Sequence, residues 1–135
     1  MKRIKLAILT AAATLFAACE GNGGGGTDPN VNPLEVNKAG VLTASETWSG
    51  DSIYVLNGRV IVPNGVELTI EPGTIIKGGE GDGANASTLI IAQGGMIDAQ
   101  GTESAPIIMT SVLDNITVGQ QAGTNLDETD AGLWG

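Results

Sequence analysis

Few side chains in this 135-residue chain are suited to covalent or metal chemistry. The sequence has no histidine and a single cysteine, Cys19, with 15 acidic and 6 basic residues. The lack of histidine excludes histidine-dependent catalytic triads and histidine-containing zinc sites within the sequence. The cysteine and the carboxylates are therefore the side chains that remain as candidates for a site. We predict that none of them is catalytic and that the chain has no enzymatic activity.

Carboxylates are concentrated towards the C-terminal end, at Asp114, Asp127, Glu128 and Asp130. Hard cations such as Ca²⁺ need several oxygen ligands that converge at about 2.3–2.6 Å. Clustering in the sequence permits such convergence without establishing it. A solvated loop is the favoured interpretation, a calcium site at these four residues is the alternative, and no other cofactor is expected.

Cys19 follows a segment that is organised like a secretory signal. A basic start over residues 1–5 precedes an apolar run over residues 6–18, which is shorter than the about 20 residues that span a bilayer. Phe16-Ala17-Ala18-Cys19 resembles the lipobox of bacterial lipoproteins. The resemblance implies cleavage before Cys19, thioether lipidation of its sulfur and acylation of the new amino terminus. We therefore predict a lipoprotein signal peptide over residues 1–18 and a membrane anchor at Cys19.

The charge balance limits the possible partners. After removal of residues 1–18, the three cations Lys38, Arg59 and Lys77 face 15 acidic side chains, so the net charge is about −12. Such a surface argues against nucleic acid, whose phosphates are bound by clustered Lys and Arg, and against anionic lipid headgroups. Membrane contact is therefore expected through acyl chains alone. The sequence leaves the oligomeric state open.

A composition change separates a linker from the folded part. Residues 19–35 hold the lipidated cysteine and a glycine-rich stretch with four consecutive glycines, which is typical of a flexible tether. Residues 36–135 alternate short β-branched runs with corners such as Asn57-Gly58 and Glu71-Pro72-Gly73. No helical period is visible there. The predicted strands are 53–56, 59–62, 66–70, 74–77, 88–92, 96–99 and 106–110.

The spacing of these runs indicates repeats. The distances from Leu68 to Ile90 and from Ile90 to Ile108 are both about 20 residues, the repeat length of a solenoid built from strands and corners. The predicted fold is therefore all-β, a parallel β-helix. A small β-sandwich, with strands at 8–12-residue spacing, is the alternative.

Two further groups of side chains suggest a function. Trp48 and Tyr54 are candidates for stacking on glycans, although aromatic residues here also suit packing at the start of the repeats. Glu67 and Glu71 are close enough in sequence for acid–base work, but outward positions on one strand and its corner explain their spacing.

Residues 64–78 (NGVELTIEPGTIIKG), 94–102 (GGMIDAQGT) and 105–111 (APIIMTS) carry a family resemblance. They resemble the opening repeats of right-handed parallel β-helix, pectin-lyase-like proteins, and the repeat-containing surface lipoproteins of Bacteroidetes-type bacteria. The resemblance covers about residues 40–135 and implies a right-handed parallel β-helix. It also implies that the repeats are incomplete at the C-terminus, so that the chain is an N-terminal fragment.

The sequence therefore predicts a lipid-anchored protein of the cell envelope, at the outer membrane or the cell surface. Its expected role is binding, adhesion or structural support, with glycans or other envelope components as partners. The alternative is the N-terminal part of a β-helix polysaccharide lyase or hydrolase whose catalytic repeats are absent here.

Overall fold

The computed structural model describes residues 34–126, which form an all-β structure. Predictions for Cys19, residues 1–18, most of the tether, Asp127, Glu128 and Asp130 lie outside these residues. No helix within residues 34–126 has the length and hydropathy needed to cross a bilayer. The eight strands are β1 (Leu34–Val41), β2 (Glu46–Trp48), β3 (Ser52–Val62), β4 (Glu67–Ile70), β5 (Ile75–Gly78), β6 (Thr88–Ile91), β7 (Met96–Ala99) and β8 (Ile108–Ser111).

The strands form two sheets in which every described pair is parallel. Sheet A has the order β1-β3-β5-β8, and β6 pairs with the second half of β3. Sheet B has the order β2-β4-β7. Parallel neighbours need a crossover connection, and here the crossover from one strand of sheet A to the next passes through sheet B or a loop. The parallel pairing is unlike the antiparallel pairing of a small β-sandwich, the alternative fold.

The structure confirms the positions of the predicted strands but corrects their pairing. The runs 53–56 and 59–62 belong to one long strand, β3, which continues through Gly58. Leu68 pairs with Ile97 rather than Ile90, and Ile90 pairs with Ile61. The spacing from Leu68 to Ile90 therefore does not measure a repeat, because a loop between β5 and β6 lengthens that part of the chain.

The main core lies between the two sheets. Side chains alternate along each strand, so every second residue points inward. Sheet A contributes Tyr54, Leu56 and Ile76, while sheet B contributes Leu68 and Ile70, and all five are buried in one apolar cluster. The interior is therefore mainly aliphatic, with Trp48 and Tyr54 as aromatic members of the cluster.

The opposite face of sheet A is covered around Ile53 and Ile75 by the segment after β8, residues 112–126, which we call the outer segment. Its Ile116 is fully buried against Ile53 and Ile75, whose side chains point away from the main core. Sheet A is thus apolar on both faces, which explains why β3 and β5 contain consecutive buried residues rather than an alternating pattern.

The loop between β5 and β6 is closed at its base by Ser87. The buried Ser87 hydroxyl lies 2.8 Å from the Leu56 carbonyl oxygen and 2.9 Å from that of Gly79, and it accepts a hydrogen bond from the Gly58 amide. Beyond this base, the loop is largely exposed and contains one 3₁₀ turn at Gly83–Asn85.

The corners pack directly on one another, and this makes Gly95 intolerant of a side chain. A Cβ atom there would lie 2.4 Å from the Val62 carbonyl oxygen and 3.0 Å from that of Pro63, both of them backbone atoms. We expect Gly95→Ala to lower the free energy of unfolding by about 2–3 kcal/mol, because the backbone must move to accept it. Urea denaturation measures the change.

Gly65→Ala is the matched control at the neighbouring corner. Gly65 has a φ of 78°, and no atom lies within 4 Å of an added Cβ. Its substitution costs only the left-handed backbone strain, about 1 kcal/mol. Equal losses in the two variants would show that close packing of the corners is unimportant.

Candidate functional site

At the sheet edge formed by β1 and β2, three side chains form a polar cluster: Lys38, Glu46 and Trp48. Lys38 of sheet A and Glu46 of sheet B form an ion pair between the two sheets, and the Trp48 indole nitrogen donates to the same Glu46 oxygen at 3.0 Å. In register, Lys38 is aligned with Leu56 and Glu46 with Leu68, and both leucines are fully buried. Charged residues thus occupy inward positions at this edge, where they satisfy each other.

The environment of Glu46 shifts its acidity. Partial burial raises the pKa of the Glu46 carboxyl, but hydrogen bonds from Lys38 and Trp48, with the Lys38 charge, outweigh it. The net result is a pKa below the ordinary value of 4.5. The folded state therefore favours the ionised carboxylate more than the unfolded chain does. Glu46 stabilises the fold when the pH is above the ordinary pKa of 4.5, and this contribution is lost as the pH falls below 4.5.

We expect Glu46→Gln to be less stable than wild type at neutral pH, and the two proteins to be of similar stability at acid pH. The stability gap between wild type and variant should therefore narrow as the pH falls below 4.5, which urea denaturation at several pH values measures. Glu67→Gln is the control, because the exposed Glu67 side chain makes no ion pair in the described residues. A gap that stays constant with pH would contradict the assignment.

The aromatic residues beside this ion pair are buried, which corrects the prediction that they contact glycans. Trp48 is 1% exposed and Tyr54 is 6% exposed. Their rings stack at a centroid distance of 4.7 Å, and the Tyr54 hydroxyl accepts a hydrogen bond from the Ser49 amide. Neither ring offers a face to a ligand, because the chain packs them inward against the main core. Trp48 and Tyr54 instead pack at the start of the repeats.

The opposite edge, which we call the end face, consists of β6, β7 and β8. Within the described residues, each of these strands has a paired neighbour on one side only. Ile97 is aligned with Leu68, and Met109 with Ile76. Leu68 and Ile76 are fully buried, but Ile97 is 42% exposed and Met109 is 49% exposed. Within residues 34–126, these two rows of core residues therefore end on exposed apolar side chains.

A shallow cleft adjoins the end face. Its volume is about 450 Å³, and it is lined by Ala99, Gly101, Thr102, Pro106, Ile107 and Met109. The lining combines aliphatic side chains with the Thr102 hydroxyl and contains no charged residue. Such a surface suits an apolar chain segment better than a charged ligand. No pattern in the sequence indicated this cleft.

Of the remaining charged residues, Lys77 and Asp114 take part in structural contacts, and Glu67 and Glu71 are exposed. Lys77 is buried and donates a hydrogen bond to the Asp114 carbonyl oxygen at 2.8 Å. The Asp114 carboxylate accepts hydrogen bonds from the Thr110 hydroxyl and the Ile116 amide, which fixes the outer segment on sheet A. Glu67 and Glu71 are exposed, as expected for outward positions on a strand and its corner.

The calcium site remains a prediction. Of its four candidate ligands, the structure describes only Asp114, and the other three lie outside the described residues. Across residues 34–126, no three acidic or cysteine side chains lie close enough to hold a metal ion.

Comparison with protein families gives one match. The model of a family described as "Pectate-lyase like beta helix domain" matches residues 40–126, which is more than half of the chain. The match covers all of the strands from β2 to β8. Comparison with curated proteins and with solved structures found no match.

Proposed function

Because the chain belongs to the family of pectate-lyase-like β-helix domains, we propose that it is a lipid-anchored, non-catalytic β-helix of the bacterial cell envelope. Its folded part presents a surface for binding, adhesion or structural support, with glycans or other envelope components as partners. The observation that carries the proposal is the combination of this family match with the lipobox-like segment that ends in Cys19.

The proposed architecture is a right-handed parallel β-helix, in which each repeat stacks on the one before. The parallel register from β1 through β3 and β5 to β8, together with that from β2 through β4 to β7, supports it. The continuous rows of aliphatic residues between the sheets are also what stacked repeats require.

The proposed anchor is tested with Cys19→Ala in the full chain expressed in a bacterium. We expect the wild type to partition into detergent and to incorporate labelled palmitate, and the variant to lose both properties. Cys19→Ser is a second variant of nearly unchanged size. A variant that still fractionates with membranes and still carries acyl label would refute the anchor.

The contacts of the cations support a non-catalytic role for residues 34–126. A lyase removes a proton beside a carboxylate and needs a base and a cation near the substrate. Lys38 is paired with Glu46, and Lys77 is buried against the Asp114 backbone. Arg59 is exposed on β3 without a second cation beside it in sequence. Lys38 and Lys77 therefore serve the fold, and Arg59 stands alone, which is a poor arrangement for catalysis.

The family match itself favours a second candidate, the N-terminal part of a polysaccharide-cleaving β-helix enzyme. The catalytic repeats of such an enzyme would follow residue 135, so the coding sequence downstream of that residue distinguishes the two functions. Further repeats with Asp, Lys and Arg clustered on one face would favour the enzyme. Repeats without such a cluster, together with retention of the purified chain on an immobilised glycan, would favour the binding role.

A further inference from the structure

One face of sheet A carries no carboxylate. It is formed by the outward side chains of residues 39–41, 59–62 and 88–91, which belong to β1, the second half of β3 and β6 and stack in register. None of the 15 acidic residues of the chain lies in these three segments. We call this surface the acid-free face and define it by Val41, Arg59, Ile61, Thr88 and Ile90.

Strand alternation fixes which side chains point outward there. Val60 and Val62 are fully buried in the main core, so Arg59 and Ile61 lie on the other side of β3. On β6, Leu89 packs against the same core, so its two neighbours in the strand also point outward. The acid-free face is therefore a lateral face of the sheet and not a sheet edge.

An exposed apolar row crosses this face. Val41, Ile61 and Ile90 are aligned in register across the three strands. Val41 is 56% exposed and Ile90 is 38% exposed. Because the row lies on a lateral face, a further repeat stacked beside β6 would extend the row and would not cover it.

Arg59 gives the face a positive charge. Of the three cations in residues 34–126, Lys38 is paired with Glu46 and Lys77 is buried, whereas Arg59 is exposed. Arg59 is aligned with the uncharged Thr88 and precedes the apolar row by two residues on β3. A guanidinium group pairs well with phosphate oxygens, and aliphatic side chains beside it suit the interfacial region of a bilayer.

The length of the preceding chain allows this face to reach a bilayer. Residues 19–33 lie between the proposed anchor and β1, and 15 residues span at most about 50 Å. Val41 is at the far end of β1, about 23 Å from Leu34. Attachment at Cys19 would also raise the local concentration of lipid, so a weak contact is sufficient.

We propose that the acid-free face is a membrane-contact surface, which rests on the phospholipid bilayer that holds the anchor. Arg59 pairs with a lipid phosphate group, while Val41, Ile61 and Ile90 contact the interfacial carbon. The inference rests on the proposed lipid anchor. It refines the expectation of contact through acyl chains alone, which follows from the net charge but not from the distribution of that charge.

Quenching by bromine-labelled lipid tests the contact. The full chain is coupled through its single cysteine, Cys19, to a maleimide lipid in phosphatidylcholine vesicles, so the test does not depend on lipidation in a cell. Zwitterionic lipid is used because the net negative charge of the protein opposes anionic vesicles. The probe is Ile90→Trp, and the matched control is Thr47→Trp, at an exposed position on the outward side of sheet B. We expect the brominated lipid to reduce the added emission of Ile90→Trp at least about twofold and to leave that of Thr47→Trp unchanged.

Charge substitutions combined with Ile90→Trp identify the contacting residues. Arg59→Glu and Val41→Glu should each reduce the quenching to the level of Thr47→Trp, because each places a carboxylate against the lipid phosphates. Thr47→Glu adds the same charge on the other sheet and should leave the quenching unchanged. Circular dichroism shows whether each variant has folded, and Val41→Trp is the second probe should Ile90→Trp fail to fold.

Equal quenching at residues 47 and 90 would overturn the proposal, because the protein would then have no preferred face. Absence of quenching at both residues 41 and 90 would also overturn it and would assign the acid-free face to a protein or glycan partner. The coupled lipid supplies the attachment in this experiment. A failure of the Cys19 substitutions in the bacterium would therefore refute the cellular anchor without altering the quenching result.

Discussion

Replacing Trp48 with alanine is expected to lower the free energy of unfolding by about 3–5 kcal/mol, the range for removing a large buried aromatic side chain. Trp48 is fully buried and stacks on Tyr54, and its indole nitrogen donates to Glu46. Its ring also lies 5.9 Å from the Lys38 ammonium group. The substitution therefore opens a cavity and removes the hydrogen bond from the indole nitrogen to Glu46. Urea denaturation followed by circular dichroism measures the loss.

Trp48→Phe separates packing from hydrogen bonding. Phenylalanine keeps an aromatic ring against Tyr54 but has no indole N–H for Glu46. We expect it to retain more than half of the stability that alanine loses. If both substitutions cost the same, the stacked ring is not the main source of stability. If alanine costs less than about 1 kcal/mol, the burial of Trp48 in the core is wrong.

Ile116→Ala is expected to cost about 2–5 kcal/mol, as for other buried large-to-small changes. Ile116 is the residue of the outer segment that is fully buried against Ile53 and Ile75. Its loss should also release residues 112–126 locally, because few other apolar contacts hold this segment on sheet A. Relative to wild type, the increase in amide hydrogen exchange should therefore be larger in this segment than in β3 or β5.

Val118→Ala is the matched control for this second substitution. Val118 packs on the same cluster but is only partly buried. Its truncation should cost about 1 kcal/mol and leave the exchange of the outer segment nearly unchanged. Uniformly faster exchange throughout sheet A after Ile116→Ala would show that the outer segment and the sheet unfold as one unit.

Local sequence signals located β3 to β8, but they did not reveal β1 and β2 or show which strands pair. Corners such as Asn64-Gly65 and Pro72-Gly73 carry their own backbone preferences, so they marked the strand ends to within a few residues. Pairing depends on how many residues lie between strands that meet in space. The loop closed by Ser87 changes this number, and no local pattern showed that Leu68 would align with Ile97.

The candidate site was predictable only in part. Trp48 and Tyr54 were assigned to a possible glycan surface because their chemistry suits it, but their burial depends on which side of each strand faces the core. The Lys38–Glu46 pair joins two sheets, and its partners lie eight residues apart on different strands. The role of Ile116 depends on a segment that folds back over sheet A. Each of these contacts is tertiary, so strand periodicity could not reveal it.

The Ser87 hydroxyl makes the strand register independent of the length of the β5–β6 loop. Its oxygen lies within hydrogen-bond distance of the Leu56 and Gly79 carbonyl oxygens, and the Gly79 amide donates to the Leu56 carbonyl at 2.8 Å, so the spacing between β5 and β6 is set at the base rather than by the residues beyond it. Lengthening a closed surface loop costs little free energy, about 0.6 kcal/mol for each doubling. The loop is therefore a position where foreign peptides can be grafted for display, and where natural variation in length can accumulate without disturbing the strand register.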